Sequence, residues 1–387
     1  MNKLVMLAMA LLIVSTLVPV DGLQVRESVA QAQAGPAVVN STAEVQFPLS
    51  LRFNLAARSG ANIVDVRLRY TVEQESFAQV TSEAFLPFAP ATGIDVSWSL
   101  DMRRTGGLPP GTLIRYWWVV RDAAGGRLET TPVSVRFEDN RRSWQELTEG
   151  LVSVFWYSGG TAFANGIMAA AHDALDKLAQ DTGAEIEKPL RFYVYATQQD
   201  LLGAMIFPQE WTGAVTYAQF GTIVLGLSPD NMIWGRRVIA HELAHAVTHQ
   251  ITSNPYSDLP RWLDEGLATY NEGLLDVSFS TALQRAVTSN TLFSVRSLGS
   301  PFSARADLAA LAYAQSFSIV DYLIGTYGQD KMSELLTVFS RGSTYDNALV
   351  TVYGFDTDGL NTRWREHVTK LFQPNRPAVG LVGADAR

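Results

Sequence analysis

Two stretches decide the reading: His241-Glu242-Leu243-Ala244-His245 and, shortly after it, Trp262-Leu263-Asp264-Glu265-Gly266-Leu267-Ala268. On a helix each residue advances about 100°, so residues four apart share a face one turn apart. His241 and His245 can therefore pinch one metal ion. Glu242 points to a neighbouring part of that face and is not needed as a ligand. Glu265 comes from a second helix packed against the first and offers a third ligand. Three protein ligands leave a fourth position open, whereas a structural site is closed by four.

The H-E-x-x-H spacing has a known chemistry. Zinc held by two imidazoles and a carboxylate makes water nucleophilic near neutral pH, and a spare carboxylate can take its proton. His241, His245 and Glu265 are thus expected as ligands of one catalytic Zn²⁺, with Glu242 as general base. Five histidines occur in the chain. His249 lies one turn beyond His245, too far along the axis to share an ion with His241, and is expected to be structural or to support a ligand. Asp264, Thr269 and Glu272 are candidates for fixing the tautomer of a ligand histidine.

The remaining sequence sets bounds. With 387 residues, two domains are expected. A net charge of −8 argues against a nucleic-acid partner. The absence of cysteine excludes disulfides, thiolate ligands and a cysteine nucleophile. Lys3, the apolar run Leu4 to Val20 and the small residues Ala30, Ala32 and Ala34 read as an export signal over 1–34, cleaved after Ala32 or Ala34. If uncleaved, that run would anchor the chain in a membrane. Either outcome puts the folded part outside the cytoplasm.

From about Val38 to Phe137 short alternating segments are separated by turn residues, clearest at Val45–Phe53, Ile63–Val72 and Ile114–Arg121. Turns are expected at Arg58-Ser59-Gly60, Leu108-Pro109-Pro110-Gly111 and Ala123-Ala124-Gly125-Gly126. This texture predicts an all-β sandwich of immunoglobulin or fibronectin type over 38–140, serving as a binding module, spacer or stabilising appendage. Helical periodicity then appears at Gly159–Asp181, followed by strands at Leu190–Ala196 and Thr222–Leu227. The metal-bearing helix is expected to start after Asp230 and run to about Thr252. Further helices are expected near 304–327, 329–341 and 360–372, with a loose tail over 373–387.

Residues 144–372 resemble a Peptidase MA-like domain, a gluzincin related to the thermolysin and alanyl-aminopeptidase families. The resemblance is carried by the HELAH run, the WLDEGLA run, Ala312-Tyr313-Ala314-Gln315-Ser316-Phe317 with Tyr322-Leu323, and Gly354-Phe355 to Trp364-Arg365. It implies an α+β zincin fold, the ligand set already named, and Tyr313 as the hydrogen-bond donor to the oxyanion. It also implies an edge strand that aligns an extended peptide, matched here by Thr222–Leu227 with the preceding Gly213–Phe220. Aminopeptidases carry Gly-x-Met-Glu-Asn on that strand, whose Glu grips the substrate's free amino group. Here the stretch is Gly213-Ala214-Val215-Thr216-Tyr217, without an acidic residue. The expectation is therefore an exported zinc metallopeptidase acting on peptide or protein substrates as an endopeptidase rather than an aminopeptidase. The alternatives are a non-catalytic extracytoplasmic binding or scaffold protein that retains its zinc site, and a zinc hydrolase acting on a non-peptide amide or ester.

Overall fold

Val64, Val66, Leu68 and Tyr70 alternate with charged neighbours, and this period of two belongs to a strand far longer than the alternation suggests. In the computed structural model, which describes residues 34–210 and 212–372, β2 (Ser50–Val72) runs for 23 residues. It organises a seven-stranded sheet among the described residues with β1 (Ala37–Gln46), β3 (Ser82–Phe85), β4 (Ala91–Asp101), β5 (Thr112–Asp122), β6 (Arg127–Glu129) and β7 (Val133–Phe137). The first half of β2 pairs with β1 and β4, the second with β3 and β5. The pairing with β4 shifts register between Arg58 and Ile63.

Three expectations change here. Arg58-Ser59-Gly60 is not a turn: the strand continues through it at the register shift, which a glycine tolerates. Val45–Phe53 is not one strand, because the chain reverses between β1 and β2, with Leu49 N–H donating to Gln46 O. Two separately bonded sheets of immunoglobulin type are not established either, since one hydrogen-bonded sheet is joined through β2.

The second sheet has the order β11-β12-β10-β9-β8. Its strands and the helices around it are β8 (Gln145–Glu149), β9 (Val152–Trp156), α1 (Gly160–Thr182), β10 (Leu190–Tyr195), α2 (Gln198–Leu202), β11 (Ala214–Tyr217), β12 (Thr222–Gly226) and α3 (Met232–Thr252). One face packs on α1 and α3 through Val154, Phe192, Ile223 and Ile239. On the other face Tyr193, Tyr195 and Val224 join the core of the first sheet, beside Phe53, Leu68 and Trp118. The β-rich region thus rests on the back of the sheet whose edge leads to the functional site.

Helices complete the chain: α4 (Arg261–Asn271), α5 (Val277–Thr288), α6 (Ala306–Tyr327), α7 (Gln329–Ser340), α8 (Tyr345–Tyr353) and α9 (Thr357–Leu371). They enclose a third core around Leu263, Leu267, Phe317, Val320 and Trp364. By length and composition α6 could cross a membrane, but 67% of its apolar window is buried in protein, as in a core helix. The expected signal over 1–34 and the tail over 373–387 lie outside the described residues, apart from Ala34. The metal-bearing helix begins at Met232, and Asp230 sits in the 3₁₀ turn before it rather than capping it.

Candidate metal centre

Helix α3 carries two stripes. Ile239, Leu243 and Val247 recur every four residues and are fully buried against α1 and the sheet. His241, His245 and His249 have the same spacing on the opposite side and face α4. Their position is fixed by the apolar stripe, since rotating α3 to expose a histidine would expose Leu243. Asn271 of α4 donates from Nδ2 to Ala240 O at 2.8 Å, tying the two helices beside His241.

Gly266 sets the approach of α4 to α6. A Cβ there would lie 2.6 Å from Ser316 O and 2.7 Å from Val320 Cγ2, so only glycine lets the helices meet this closely. The contact brings Glu265 and Tyr313 together. The Tyr313 hydroxyl is 3.4 Å from Glu265 Oε1. Its ring stacks on Phe279 at 6.1 Å and meets Phe302 edge-on at 5.3 Å. Burial first, then the Glu265 carboxylate, raises the Tyr313 pKa above its ordinary value, keeping the phenol protonated and able to donate.

Three ligand atoms converge. His241 Nε2 and His245 Nε2 are 3.2 Å apart, and each is 3.4 Å from Glu265 Oε2. A tetrahedral zinc ion with bonds of about 2.0–2.1 Å spaces its ligand atoms about 3.3 Å apart, so this triangle fits zinc. Glu265 is 2% exposed, and its buried Oε2 accepts no well-aligned hydrogen bond, the two imidazole nitrogens at 3.4 Å being its polar neighbours. Such an atom is costly unless a cation satisfies it.

The far side of each imidazole has its own carboxylate. His241 Nδ1 lies 2.8 Å from Glu272 Oε1, and His245 Nδ1 lies 2.7 Å from Asp264 Oδ1. Each carboxylate is placed to accept a proton from Nδ1, which with a metal bound would leave the Nε2 lone pair facing the centre. Of the three candidates for this work, Glu272 and Asp264 do it. Thr269 instead turns its hydroxyl to Glu265 O at 2.8 Å. His249 Nε2 is 3.3 Å from Asp264 Oδ1, on the side away from the triangle, which fits a supporting role.

Two arginines complete this outer layer, and neither was singled out from the sequence. Arg237 donates to Glu272 Oε2 from Nε at 3.2 Å and from Nη2 at 3.0 Å. Arg261 places Nη2 2.6 Å from Glu265 Oε1 and Nη1 3.4 Å from Asp264 Oδ2. Arg237 precedes His241 by one turn, so an i−4 cation was a usable signal. The position of Arg261 depends on how α4 meets α3.

The charge balance favours a cation. Burial alone would raise the Asp264 and Glu265 carboxyls, but the facing imidazoles hold both well below the usual carboxylate range. Burial likewise opposes charge on the imidazoles. The carboxylates override it: Glu265 and Glu272 raise His241 to about 9, and Asp264 and Glu265 raise His245 well above its ordinary value. A pocket that draws protons this strongly onto its imidazoles presents a negative field that a divalent ion can satisfy.

The triangle opens into a cleft of about 280 Å³, also lined by Val215, Thr216, Glu242 and Arg261. One wall is β11, antiparallel to β12 and terminal in its sheet among the described residues. The edge strand is thus Ala214–Tyr217, within the Gly213–Phe220 part of the expected segment, while Thr222–Gly226 lies inside the sheet. The Thr216 hydroxyl is 2.6 Å from Glu242 Oε2 and 3.0 Å from Glu242 O. Sequence reading passed over Thr216. Tyr217 packs towards the first sheet's core rather than lining the cleft, and burial raises its pKa.

A profile of the Peptidase MA superfamily matches residues 170–370, slightly more than half of the chain. Among solved structures, the M1 zinc metallopeptidase of Deinococcus radiodurans is similar at 15% identity and a TM-score of 0.35, over 90% of this chain and 96% of that one. The aminopeptidase A of Legionella pneumophila is similar at 13% identity and a TM-score of 0.39, over 86% of this chain and 50% of that one. No curated protein matches the chain. The family match covers α3, α4 and α6, which together carry the triangle and Tyr313. The chain belongs to the Peptidase MA superfamily.

Proposed function

We propose that the chain is an exported zinc-dependent endopeptidase, with His241, His245 and Glu265 as the ligands and Glu242 as general base. The observation that carries this reading is the 3.2–3.4 Å triangle of ligand atoms beside a carboxylate that is not part of it. Zinc held there would supply Lewis acidity, making water a nucleophile near neutral pH and polarising the carbonyl it attacks.

The chain's own groups perform the rest. Edge strand β11 offers backbone donors and acceptors to an extended substrate, which tolerates many sequences. Glu242 takes the proton of the attacking water and delivers it to the leaving amine. Thr216 donates to the Glu242 carboxylate and so fixes which oxygen is free. Tyr313 donates to the substrate's carbonyl oxygen as negative charge develops on it. Tyr313→Phe, which keeps the ring packing on Phe279, is expected to lower kcat by about 10²–10³-fold with little change in KM or zinc content. A KM effect alone would remove Tyr313 from the chemistry.

Thr216 also supports internal cleavage. It stands where the aminopeptidase pattern has its amine-gripping Glu, and its hydroxyl is engaged with Glu242. Acetylating the N-terminus of a cleaved peptide should leave its rate unchanged, as liquid chromatography of the products would show. Loss of cleavage on acetylation would make the protein an aminopeptidase. Export rests on Lys3 and the apolar run from Leu4 to Val20. N-terminal sequencing of the mature chain should begin at Gln33 or Gly35, and an N-terminus at Met1 would contradict cleavage.

A further inference from the structure

Glu73-Gln74-Glu75-Ser76-Phe77-Ala78-Gln79-Val80-Thr81 connects β2 to β3, and nothing in its sequence links it to the metal centre. The fold makes that link. Glu75 N–H donates to Gln219 O at 2.7 Å, and Glu75 pairs with Lys188. Gln219 lies in the 3₁₀ turn directly after β11. The loop from the β-rich region is thus fastened to the end of the strand that lines the cleft.

Three cavities meet at this point. The cleft of about 280 Å³ adjoins a hollow of about 160 Å³, with His249 and Ala218 on both walls. That hollow adjoins a groove of about 700 Å³, with Glu75, Ala218 and Gln219 shared. Phe77 borders the hollow and Val80 the groove, and the two residues are 63% and 68% exposed. One exposed apolar residue is ordinary. Here two stand on one tethered loop, along a path that begins at the metal centre.

The groove's chemistry selects its occupant. Lys188 and Arg115 are neutralised by Glu75 and Glu73, the latter at 3.0 Å, so the lining converges no uncompensated charge on a small ionic ligand. What remains are apolar side chains and polar groups, which suit an extended backbone with apolar side chains.

Building on the proposed peptidase reading, we propose that this groove is an extended substrate subsite. It holds an unfolded polypeptide segment on one side of the scissile bond, with Val80 as its apolar contact and Phe77, in the adjoining hollow, as the apolar contact between groove and cleft. The β-rich region then feeds the cleft instead of capping it, and the preferred substrates are long unfolded chains.

The test uses casein as an unfolded probe and a short peptide spanning only the residues around one casein cleavage site. Phe77→Asp combined with Val80→Asp changes two exposed side chains, so folding and zinc content should persist. The double variant is expected to lose about tenfold or more in kcat/KM on casein, and little on the short peptide. Equal losses on both substrates, or none on casein, would overturn the proposal. A second measurement separates this from failure of the peptidase reading: p-benzoylphenylalanine at position 77 of the zinc-loaded Glu242→Gln chain should crosslink to casein under light. Crosslinking without any cleavage by the parent would uphold the groove as a polypeptide site and reject the peptidase. No crosslink would reject the groove.

Discussion

Replacing Glu265 by alanine is expected to abolish stoichiometric zinc binding while leaving the chain folded. Glu265 supplies the third corner of the triangle, 3.4 Å from both Nε2 atoms, and its Oε2 has no other partner. Two imidazoles alone leave zinc under-coordinated, so the affinity loss should exceed about 100-fold, the upper range for losing an outer partner. Glu272→Ala and Asp264→Ala provide that scale: each frees one Nδ1 and should weaken zinc by about 10–100-fold. Competition with a chromophoric chelator reads all three variants. Thermal unfolding gives an independent view. At free zinc about 1,000 times Kd, the bound ion adds about 4 kcal/mol to the parent's stability, roughly 10 °C in Tm for a domain of this size. Chelation should remove that increment from the parent and change Glu265→Ala little. Parent-like zinc affinity in Glu265→Ala would show that the ion sits elsewhere.

Glu242→Gln should have the opposite profile: full zinc occupancy and almost no turnover. Glu242 lies outside the ligand triangle, so its charge is not needed to hold zinc. Glutamine has nearly the same shape and can still accept the Thr216 hydrogen bond through its amide oxygen. It cannot take a proton from water or return one to an amine. General base and acid catalysis contribute about 10²–10⁴-fold, and that is the expected fall in kcat. Turnover within about tenfold of the parent, at equal zinc content, would assign the proton transfer to another group.

Much of the site was legible because it lies on two helices with regular spacing. His241, His245 and Glu242 follow from one helical turn, and their burial side follows from Ile239, Leu243 and Val247. Asp264 and Glu272 could be suggested as histidine partners because one lies beside Glu265 in α4 and the other caps the end of that helix. Which imidazole each would meet required the crossing of α3 and α4. Thr216 was invisible for a different reason. It is 26 residues from Glu242, on a four-residue strand, and its role depends on which strand forms the sheet's edge.

The β-rich region was legible in composition and not in connectivity. Alternation identified strand-forming segments, but Ser59-Gly60 carries turn chemistry and still lies within β2. There β2 is held by pairing on both sides of the register shift, and the Ser59 hydroxyl donates to Asp122 Oδ2 at 2.6 Å. Long-range pairing overrode a local preference. The link between the Phe77 loop and the cleft has the same origin, since a single backbone hydrogen bond joins residues 75 and 219.

The most direct test of zinc-dependent peptide hydrolysis is digestion of casein by the zinc-loaded chain, with new termini identified by mass spectrometry. The protein would be assayed as loaded, after chelation, and after return of one equivalent of zinc. New internal termini that vanish on chelation and return with zinc are the predicted result. An absence of new termini while one zinc is bound would contradict it.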